Sequence, residues 1–379
     1  MSATLLLPGD RPVITIDLAA IRQNWRTVAD TYTGAHMGAV IKNDAYGLGS
    51  ARIAPLLDQL GCRNFWVDTF DAALTVRHVV RDGTIFVLHG MAGVDAAQCR
   101  ALDIVPVLVS MGDLAMARSD AQRLGPLRVA IHLDSGLSRV GLNHAEVDNV
   151  ANDLSLLSGL EIAAWVTHLG RFSDPQASEN LLQRTRFLEW TARLPRAPLS
   201  IATSSCVFAE PSWHLDHARV GSALYGVDTT PSNPQGVVPA ATLSAPVLRV
   251  ATLPPGTEIG YSGAYRTQRT SVIATLAVGY GDGLPFSLAN QGQVAIGGRL
   301  APIVGGISMG LIAVDVTSFA EGQVLPGMHA TIFGTELRLE QVAASAGIAP
   351  NALLVASAIH ASRRYVDADK PLHVGAQTS

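Results

Sequence analysis

The sequence predicts an α/β protein, with an N-terminal (β/α)8 TIM-type barrel followed by a mainly antiparallel β domain. Two domains are expected because 379 residues exceed one ordinary core. Over roughly the first 230 residues, short runs rich in Val, Ile and Ala alternate with longer helical segments, which is typical of a buried parallel sheet. Later runs are short, β-type and separated by turn residues, which predicts antiparallel strands.

The alternating part of the chain supplies about eight β/α units, which suits a barrel of this length. Its predicted strands lie at 13–18, 36–42, 65–69, 84–90, 103–110, 127–134, 161–170, 199–204 and 218–226. Its predicted helices lie at 19–31, 51–60, 72–80, 95–102, 113–124, 144–154 and 177–194. A doubly wound open sheet is the alternative, but no GxGxxG follows the first strand.

A Pro- and Gly-rich stretch at 227–239 is predicted to link the two domains, which we place at residues 1–235 and 236–379. The second domain then has β-type runs and one predicted helix at 339–347. The β-type runs are at 242–253, 270–281, 293–306, 311–318 and 329–334.

Composition excludes several classes of protein. The net charge of −4 and the absence of a Lys/Arg-rich run argue against nucleic-acid binding. The sequence shows neither a signal peptide nor an apolar run of the roughly 18 residues that a membrane helix needs. Its 3 cysteines are widely spaced and form no CxxC, so we expect a reducing cytoplasm, and we predict no metal site.

Polar side chains follow several predicted barrel strands, at the end where such barrels carry active sites. Lys42 ends an apolar run, so desolvation would lower its pKa and make its amine a nucleophile towards an aldehyde. A solvent-exposed lysine at the barrel rim is the alternative. Arg139 lies in a Gly-containing loop suited to an anionic group, although a surface arginine is equally typical of a loop. His168 and Ser204 end later strands, where structural roles are also common.

The last barrel segment, HARVGSALYG, indicates a phosphate site. Gly221 would let backbone N–H groups approach a phosphate, next to Arg219 and Ser222. Tyr46, one short turn after Lys42, could reach the same group.

Eight motifs occur in order across both domains: AVIKNDAYG, DSGLSRVG, THLG, ATSS, RVGSALYG, IGYSGAY, VGYGDG and GISMG. Together they resemble the alanine racemase family, the fold-type III pyridoxal-phosphate enzymes, over nearly the whole chain. The resemblance implies an amino-acid racemase with pyridoxal 5'-phosphate as cofactor. It also implies a homodimer whose active sites are shared between subunits.

The resemblance assigns roles to individual residues. Lys42 would bind the cofactor covalently and act as acid and base on one face of the substrate, with Tyr261 acting on the opposite face. Arg219 would face the pyridine nitrogen of the cofactor, and Arg139 its phenolic oxygen and the substrate carboxylate. His168 would lie beside the cofactor ring, and a cationic His168 or Arg219 would favour a tyrosinate.

The remaining assignments concern the phosphate and the substrate. Tyr46, Ser204, Gly221 and Ser222 match phosphate contacts. Tyr280 and Met309 match residues of the substrate entrance, which in the family come from the second domain of the partner subunit. Because Tyr261 also lies in that domain, a dimer with interfacial sites is expected.

The chain departs from the family pattern near the substrate. His132 replaces a lysine that is often carbamylated, and Gly306 and Gly310 replace an arginine and an aspartate. A tyrosine near the C-terminus is missing, with Asn351 or Ala352 nearest, and 167–175 carries a one-residue insertion. The cofactor residues are retained while the substrate pocket is predicted to be less charged and roomier.

These departures leave four alternatives to an alanine racemase. One is a racemase of a larger or polar amino acid, such as serine or lysine, and another is a paralogue that binds the cofactor but turns over slowly. A fold-type III decarboxylase would carry a carboxylate where this chain has Arg219. A pyridoxal-phosphate homeostasis protein would consist of a barrel alone, without the domain that carries Tyr261.

Overall fold

The structure is a computed structural model, and it describes residues 11–171, 173–174, 177–230 and 236–367. The strands, numbered in chain order, are β1 (Val13–Asp17), β2 (His36–Val40), β3 (Asn64–Val67), β4 (Thr84–Val87), β5 (Ile104–Leu108), β6 (Leu127–His132), β7 (Leu160–Val166), β8 (Leu199–Ser200), β9 (Ala202–Thr203), β10 (His217–Val220), β11 (Ala241–Leu253), β12 (Glu258–Ile259), β13 (Tyr265–Arg266), β14 (Ser271–Leu276), β15 (Gln293–Ile296), β16 (Arg299–Val304), β17 (Ile312–Asp315), β18 (His329–Phe333) and β19 (Ser362–Val366).

The right-handed α-helices follow the same numbering rule. They are α1 (Leu18–Thr31), α2 (Ser50–Gln59), α3 (Phe70–Val79), α4 (Ala96–Leu102), α5 (Met111–Leu124), α6 (His144–Asn152), α7 (Ser178–Thr191), α8 (Ser204–Ala209), α9 (Leu339–Ala346) and α10 (Pro350–His360). The segment Lys42–Tyr46 is a helical turn of the opposite hand, described with the site below.

A parallel barrel forms the first domain, as predicted. Its strand order is β8-β7-β6-β5-β4-β3-β2-β10-β9, and β8 and β9 are the two halves of one strand interrupted at Ile201. The ring therefore closes with eight strand positions. Strands such as β4 and β5 are buried along their whole length, because helices cover the outside and side chains fill the inside.

The first strand of the chain does not belong to this barrel, although 13–18 was predicted as its first unit. β1 pairs antiparallel with β11, with Val13 opposite Ser244, and parallel with β19, with Val13 opposite Ser362. The apolar run at 13–18 is equally compatible with either sheet, and only pairing with distant strands decides between them. β1 thus belongs to the sheet of the second domain.

The second domain is built on a mainly antiparallel sheet, in the order β14-β17-β16-β15-β18-β11-β1-β19. β14 also pairs with β11, so this part of the sheet closes on itself. The predicted domain boundary at residue 235 falls in 231–235, which lies outside the described residues together with part of the predicted linker.

Local signals account for where the helices begin. α1 follows directly from β1 because the Asp17 carboxylate accepts hydrogen bonds from the N–H groups of Ala19 (2.8 Å) and Ala20 (3.1 Å). The predicted helix at 339–347 is confirmed as α9. α10 was missed in the sequence, although Pro350 at its first position is a recognised start signal.

The length and apolar character of the helices bear on whether the chain could cross a membrane. Within the described ranges, no single helix is both long and apolar enough to cross a bilayer. α9 and α10 meet the length and composition criteria only when taken together, and they are bent by 104° relative to one another.

Candidate active site

A cavity of about 630 Å³ opens at the carboxyl ends of the barrel strands. Its lining brings together eight of the predicted site residues: Lys42, Tyr46, Arg139, His168, Ser204, Arg219, Gly221 and Ser222. No Asp or Glu of the described residues is among the side chains that line it, whereas a lysine and two arginines are. The cavity is therefore suited to an anionic ligand.

Lys42 follows β2 directly and lies half-buried in this cavity. Burial lowers the pKa of its amine, and the positive charges of Arg139 and Arg219 lower it further, while Asp68 acts in the opposite direction. A lowered pKa increases the fraction of neutral amine, which is the nucleophilic form. The amine therefore lies in the cavity with a lowered pKa.

The backbone after Lys42 is left-handed. Asn43 (φ 49°), Asp44 (φ 54°), Ala45 (φ 54°) and Tyr46 (φ 58°) follow one another in this conformation, and none of them is glycine. An L-residue in a left-handed helix is destabilised by roughly 1–2 kcal/mol, so a run of this kind requires contacts that hold it in place. The sequence motif indicated only a loop here.

Arg219 lies on β10, fully inside the barrel. One guanidinium nitrogen, Nη1, donates to the carbonyl oxygen (2.9 Å) and the hydroxyl (2.5 Å) of Ser200, and Nη2 donates to the carbonyl oxygen of Thr167 (2.6 Å). The guanidinium also lies 5.6 Å from the ring centroid of Trp66. Burial lowers the pKa of Arg219 to about 10, which still leaves it protonated at neutral pH. Because these acceptors are neutral, its positive charge is not cancelled by them.

His168 and His132 are neutral at neutral pH, contrary to the expectation of a cationic His168. Burial, reinforced by the charges of Arg219 and Arg139, lowers the pKa of His168 to about 3. The same two causes lower the pKa of His132 to about 3. The positive charges of Arg219 and Arg139 make a further positive charge on either ring unfavourable. Any stabilisation of a tyrosinate must therefore come from the arginines or Lys42.

His132 is also the least satisfied polar side chain of the cavity wall. Its Nδ1 is buried and has no hydrogen-bond partner in the described part of the chain. It lies against Gly141 (φ 108°), where the Cβ of any other residue would collide with the ring. The histidine that replaces the family's lysine thus brings no negative charge to the site.

This burial makes the stability of the protein depend on pH. The unfolded His132 has a pKa near 6.5, whereas in the folded state it is about 3. As pH falls below about 6.5, the unfolded chain takes up a proton that the folded chain does not. Folding is therefore destabilised progressively, by up to about 2 kcal/mol per histidine between pH 6.5 and 5. Thermal melts should show this acid sensitivity reduced in His132→Asn and unchanged in the exposed control His360→Asn; equal pH slopes in all three proteins would contradict the assignment.

Hydroxyl groups converge at the end of the cavity formed by β2, β9 and β10. The hydroxyl of Ser204 accepts hydrogen bonds from the N–H groups of Gly221 (3.1 Å) and Ala223 (3.2 Å). Gly221 lies against the Tyr46 hydroxyl so closely that a side chain there would clash with it. Burial raises the pKa of Tyr46 to about 12, so it remains a neutral donor. Neutral donors packed against bare backbone suit a phosphate group.

Asn351 completes this end of the cavity. Its Nδ2 donates to the hydroxyl of Ser222 (2.9 Å), and its Oδ1 is buried without a partner in the described residues. Of the two positions suggested by sequence, Asn351 is the one that lines the cavity. An unpaired buried acceptor next to hydroxyl donors is a feature that a bound ligand would satisfy.

The remaining predicted residues lie on the second domain and do not line the cavity of their own chain. Tyr261 is 80% exposed and Met309 is 66% exposed. Tyr280 stacks on Phe286 with 4.7 Å between ring centroids, and its N–H donates to the carbonyl of Ser308 (3.0 Å). These loops therefore form one exposed apolar surface, which is unusual unless another molecule covers it.

The substituted glycines lie on the same side of the second domain. At Gly306 and at Gly310, a Cβ would meet no atom within 4 Å. Packing within the chain does not require glycine at either position, so a larger side chain could be accommodated there.

Sequence reasoning missed residues that hold others in place. Asn290 donates from Nδ2 to the carbonyl of Ala264 (3.1 Å) and accepts from the N–H of Gly305 (2.7 Å), joining the loop of Tyr261 to the loop before Met309. Its left-handed conformation (φ 58°), which favours Asn, has no sequence signal beyond residue type. Ser200, whose hydroxyl and carbonyl oxygens accept hydrogen bonds from Arg219, could have been found in the sequence as a polar residue within an apolar strand.

Comparison with known proteins agrees with this site. The family models for the alanine racemase N-terminal domain and C-terminal domain match residues 16–229 and 240–365. An alanine racemase of Acidiphilium cryptum is 39% identical over 89% of this chain and 94% of its own length. One from Brucella canis is 35% identical over 93% of each chain.

Solved structures extend the comparison to three dimensions. The crystal structure of alanine racemase from Bartonella henselae, with covalently bound pyridoxal phosphate, has a TM-score of 0.89 and 31% identity, over 94% of this chain and 100% of that one. The enzyme from Streptomyces coelicolor has a TM-score of 0.89 and 27% identity, over 97% and 100%. This chain belongs to the alanine racemase family.

Proposed function

We propose that this protein is a pyridoxal-phosphate-dependent alanine racemase that interconverts L- and D-alanine. The observation that carries the proposal is the meeting of Lys42 and Arg219 in one cationic cavity at the carboxyl ends of the barrel strands. Family membership supports the same activity, because the relatives described above are alanine racemases.

The residues of the cavity fit the cofactor. When bound, pyridoxal 5'-phosphate withdraws electron density from the α-carbon of the amino acid and so makes its hydrogen acidic. The hydroxyls of Tyr46, Ser204 and Ser222, with the backbone at Gly221, would hold the phosphate. The amine of Lys42, with its lowered pKa, would hold the aldehyde carbon.

Arg219 sets the electronic character of the site. Its buried positive charge opposes a proton on the pyridine nitrogen that it would face, which weakens electron withdrawal and limits side reactions such as transamination. A fold-type III decarboxylase would carry a carboxylate at this position, so Arg219 favours racemisation. Arg139, which is exposed within the cavity, would bind the substrate carboxylate.

Inversion of a carbon centre needs a proton donor and acceptor on each face. A single base tends to return the proton to the face from which it came. Lys42 would serve one face, and Tyr261 of a second copy of the chain would serve the other. The exposure of Tyr261, Tyr280 and Met309 on the second domain supports a homodimer with shared sites.

A larger or more polar amino acid is the second candidate substrate. It is favoured by the open space around Gly306 and Gly310 and by the unpaired oxygen of Asn351. We also infer a reducing, cytoplasmic setting, which the free and buried Cys62, Cys99 and Cys206 support. We place the boundary between the barrel and the second domain near residue 235, counting β1 with the second domain.

A chiral-product assay tests the proposal. Purified holoenzyme is incubated separately with single enantiomers of alanine, serine and lysine, and both enantiomers and released CO₂ are quantified. We expect L- and D-alanine to reach an equal mixture from either side, faster than the other amino acids and without CO₂. Preferential turnover of serine or lysine would replace alanine as substrate. CO₂ release, or no inversion of any substrate, would overturn the racemase assignment.

A further inference from the structure

The turn that carries Lys42 is anchored from the other domain. The carboxylate of Asp44 accepts from the guanidinium of Arg363, with 2.6 Å between Oδ2 and Nη1. Arg363 lies on β19, which pairs with β1 at the edge of the sheet of the second domain. An ion pair thus joins the strained turn next to Lys42 to the sheet of the same chain's second domain.

Asp44 connects this ion pair to the beginning of α2. Its other carboxylate oxygen, Oδ1, accepts from the backbone N–H (2.7 Å) and the hydroxyl (2.8 Å) of Ser50. Although burial alone would raise the pKa of Asp44, the bonds from Ser50 and Arg363 lower it, so the carboxylate is charged at neutral pH. The Asp44 side chain therefore links the turn after Lys42 both to the first residue of α2 and to β19.

Further contacts from the second domain reach the same segment. The Tyr365 hydroxyl donates to the carbonyl of Leu48 (2.9 Å). At Gly47, a Cβ would lie only 2.7 Å from the Cβ of Ala358 on α10. β19 and α10 thus pack directly on 47–49, while on the barrel side the N–H of Asn43 donates to Asp68 (3.1 Å).

Strain makes these contacts functionally relevant. A run of left-handed residues is intrinsically unstable and persists only where its surroundings hold it. The contacts that hold the turn come from the second domain as well as from the barrel that forms the cavity. Loss of an anchor should therefore release the turn and move the amine of Lys42 from its position.

We propose that Asp44 and Arg363 are positioning residues, through which the second domain holds Lys42 at the aldehyde carbon of the cofactor. The proposal rests on the proposed role of Lys42. On this proposal the second domain positions Lys42 in its own chain, in addition to its proposed role of placing Tyr261 in the active site of the partner subunit. Asp44 and Arg363 do not line the cavity, so they act only through the turn.

The test measures how firmly the cofactor is held, independently of turnover. Holoenzyme is mixed with hydroxylamine, which captures the aldehyde, and the decay of the yellow absorbance is followed. For a half-exposed ion pair we expect decay about threefold to fivefold faster in Arg363→Met and in Asp44→Asn. Because the two residues act as a pair, the double variant should be no faster than about either single variant.

A matched control is the ion pair of Asp58 and Arg63, which has the same 2.6 Å separation and lies at the opposite end of the barrel. Arg63→Met should decay at the wild-type rate. Hydrogen exchange of 42–50 should accelerate in Arg363→Met by the same factor as the decay, and remain at the wild-type rate in Arg63→Met. A purely structural role for Arg363 would instead lower the melting temperature and leave both rates unchanged, which would overturn the proposal.

Two further variants distinguish the effect of backbone strain at position 44 from the effect of losing the hydrogen bonds of the Asp44 side chain. Asp44→Gly keeps the left-handed conformation accessible, whereas Asp44→Ala does not, and both lose the bonds to Ser50 and Arg363. If the bonds hold the turn, both variants should release the cofactor at least about tenfold faster. Wild-type release from Asp44→Gly would refute the anchoring role.

Borohydride reduction and peptide mapping of the wild-type protein show whether the cofactor is attached to Lys42. This measurement distinguishes failure of the anchoring proposal from failure of the proposed function. Cofactor fixed on Lys42 with unchanged release in the variants would refute the anchor alone. No cofactor on Lys42 would refute the proposed function as well.

Discussion

Lys42→Ala is expected to lose the yellow absorbance of the covalently held cofactor and to lower racemisation by at least about a thousandfold. The variant removes both the amine that would bind the aldehyde and the acid–base group on one face of the substrate. Among the described residues that line the cavity, Lys42 is the one lysine. Absorbance spectra and chiral-product rates measure the two losses separately.

Lys42→Arg provides the control for this variant. It keeps a positive charge in the cavity, and its guanidinium does not act as a nucleophile at neutral pH. It should therefore bind the phosphate end of the cofactor but lack the absorbance band of the covalently held cofactor. A yellow, active Lys42→Ala protein would mean that the cofactor is attached elsewhere, and it would refute the assignment of Lys42 as the residue that binds the aldehyde.

Tyr261→Phe is expected to retain the colour and to lower racemisation of both enantiomers by about 10²–10⁴-fold. The substitution removes one hydroxyl from an exposed side chain, so the fold and the cavity of the same chain should be unaffected. Exchange of the α-hydrogen with deuterated solvent, measured from each enantiomer, should be impaired mainly for the enantiomer whose hydrogen Tyr261 removes. Small and equal effects from both enantiomers would refute a second base.

Hybrid dimers test whether the two residues come from different subunits. If Lys42 and Tyr261 of different chains form each site, a hybrid of Lys42→Ala and Tyr261→Phe chains contains one complete site. Random mixing should then restore about a quarter of wild-type activity, because about half of the dimers are hybrids with one active site of two. If both residues act within one chain, the mixture should be no more active than its components.

The sequence was sufficient to predict the types of most elements and the main residues of the cavity. Buried apolar runs indicated the barrel strands, and cap and turn residues placed most helices within a few residues of their observed ends. Lys42, Arg139, His168, Ser204 and Arg219 were each found as polar residues after such runs. Because carboxyl ends of parallel strands meet on one face of a barrel, these side chains also had to lie near one another.

Other features depend on partners that are distant in the chain. β1 looked like a barrel strand, yet Val13 pairs with Ser244 and Ser362 in the other sheet. His168 looked like a possible cation, yet burial among arginines makes it neutral. The left-handed turn after Lys42 lacks the glycines that normally mark such a backbone, and contacts from both domains surround it.

The sequence by itself thus determined the class of fold and the set of polar side chains at the carboxyl ends of the barrel strands. These follow from patterns that are local to each strand and helix. The tertiary structure decided which sheet takes β1, which histidines stay neutral, and which contacts surround the turn after Lys42. Strand pairing, desolvation and backbone strain each depend on residues brought together only by folding, so no local pattern encodes them.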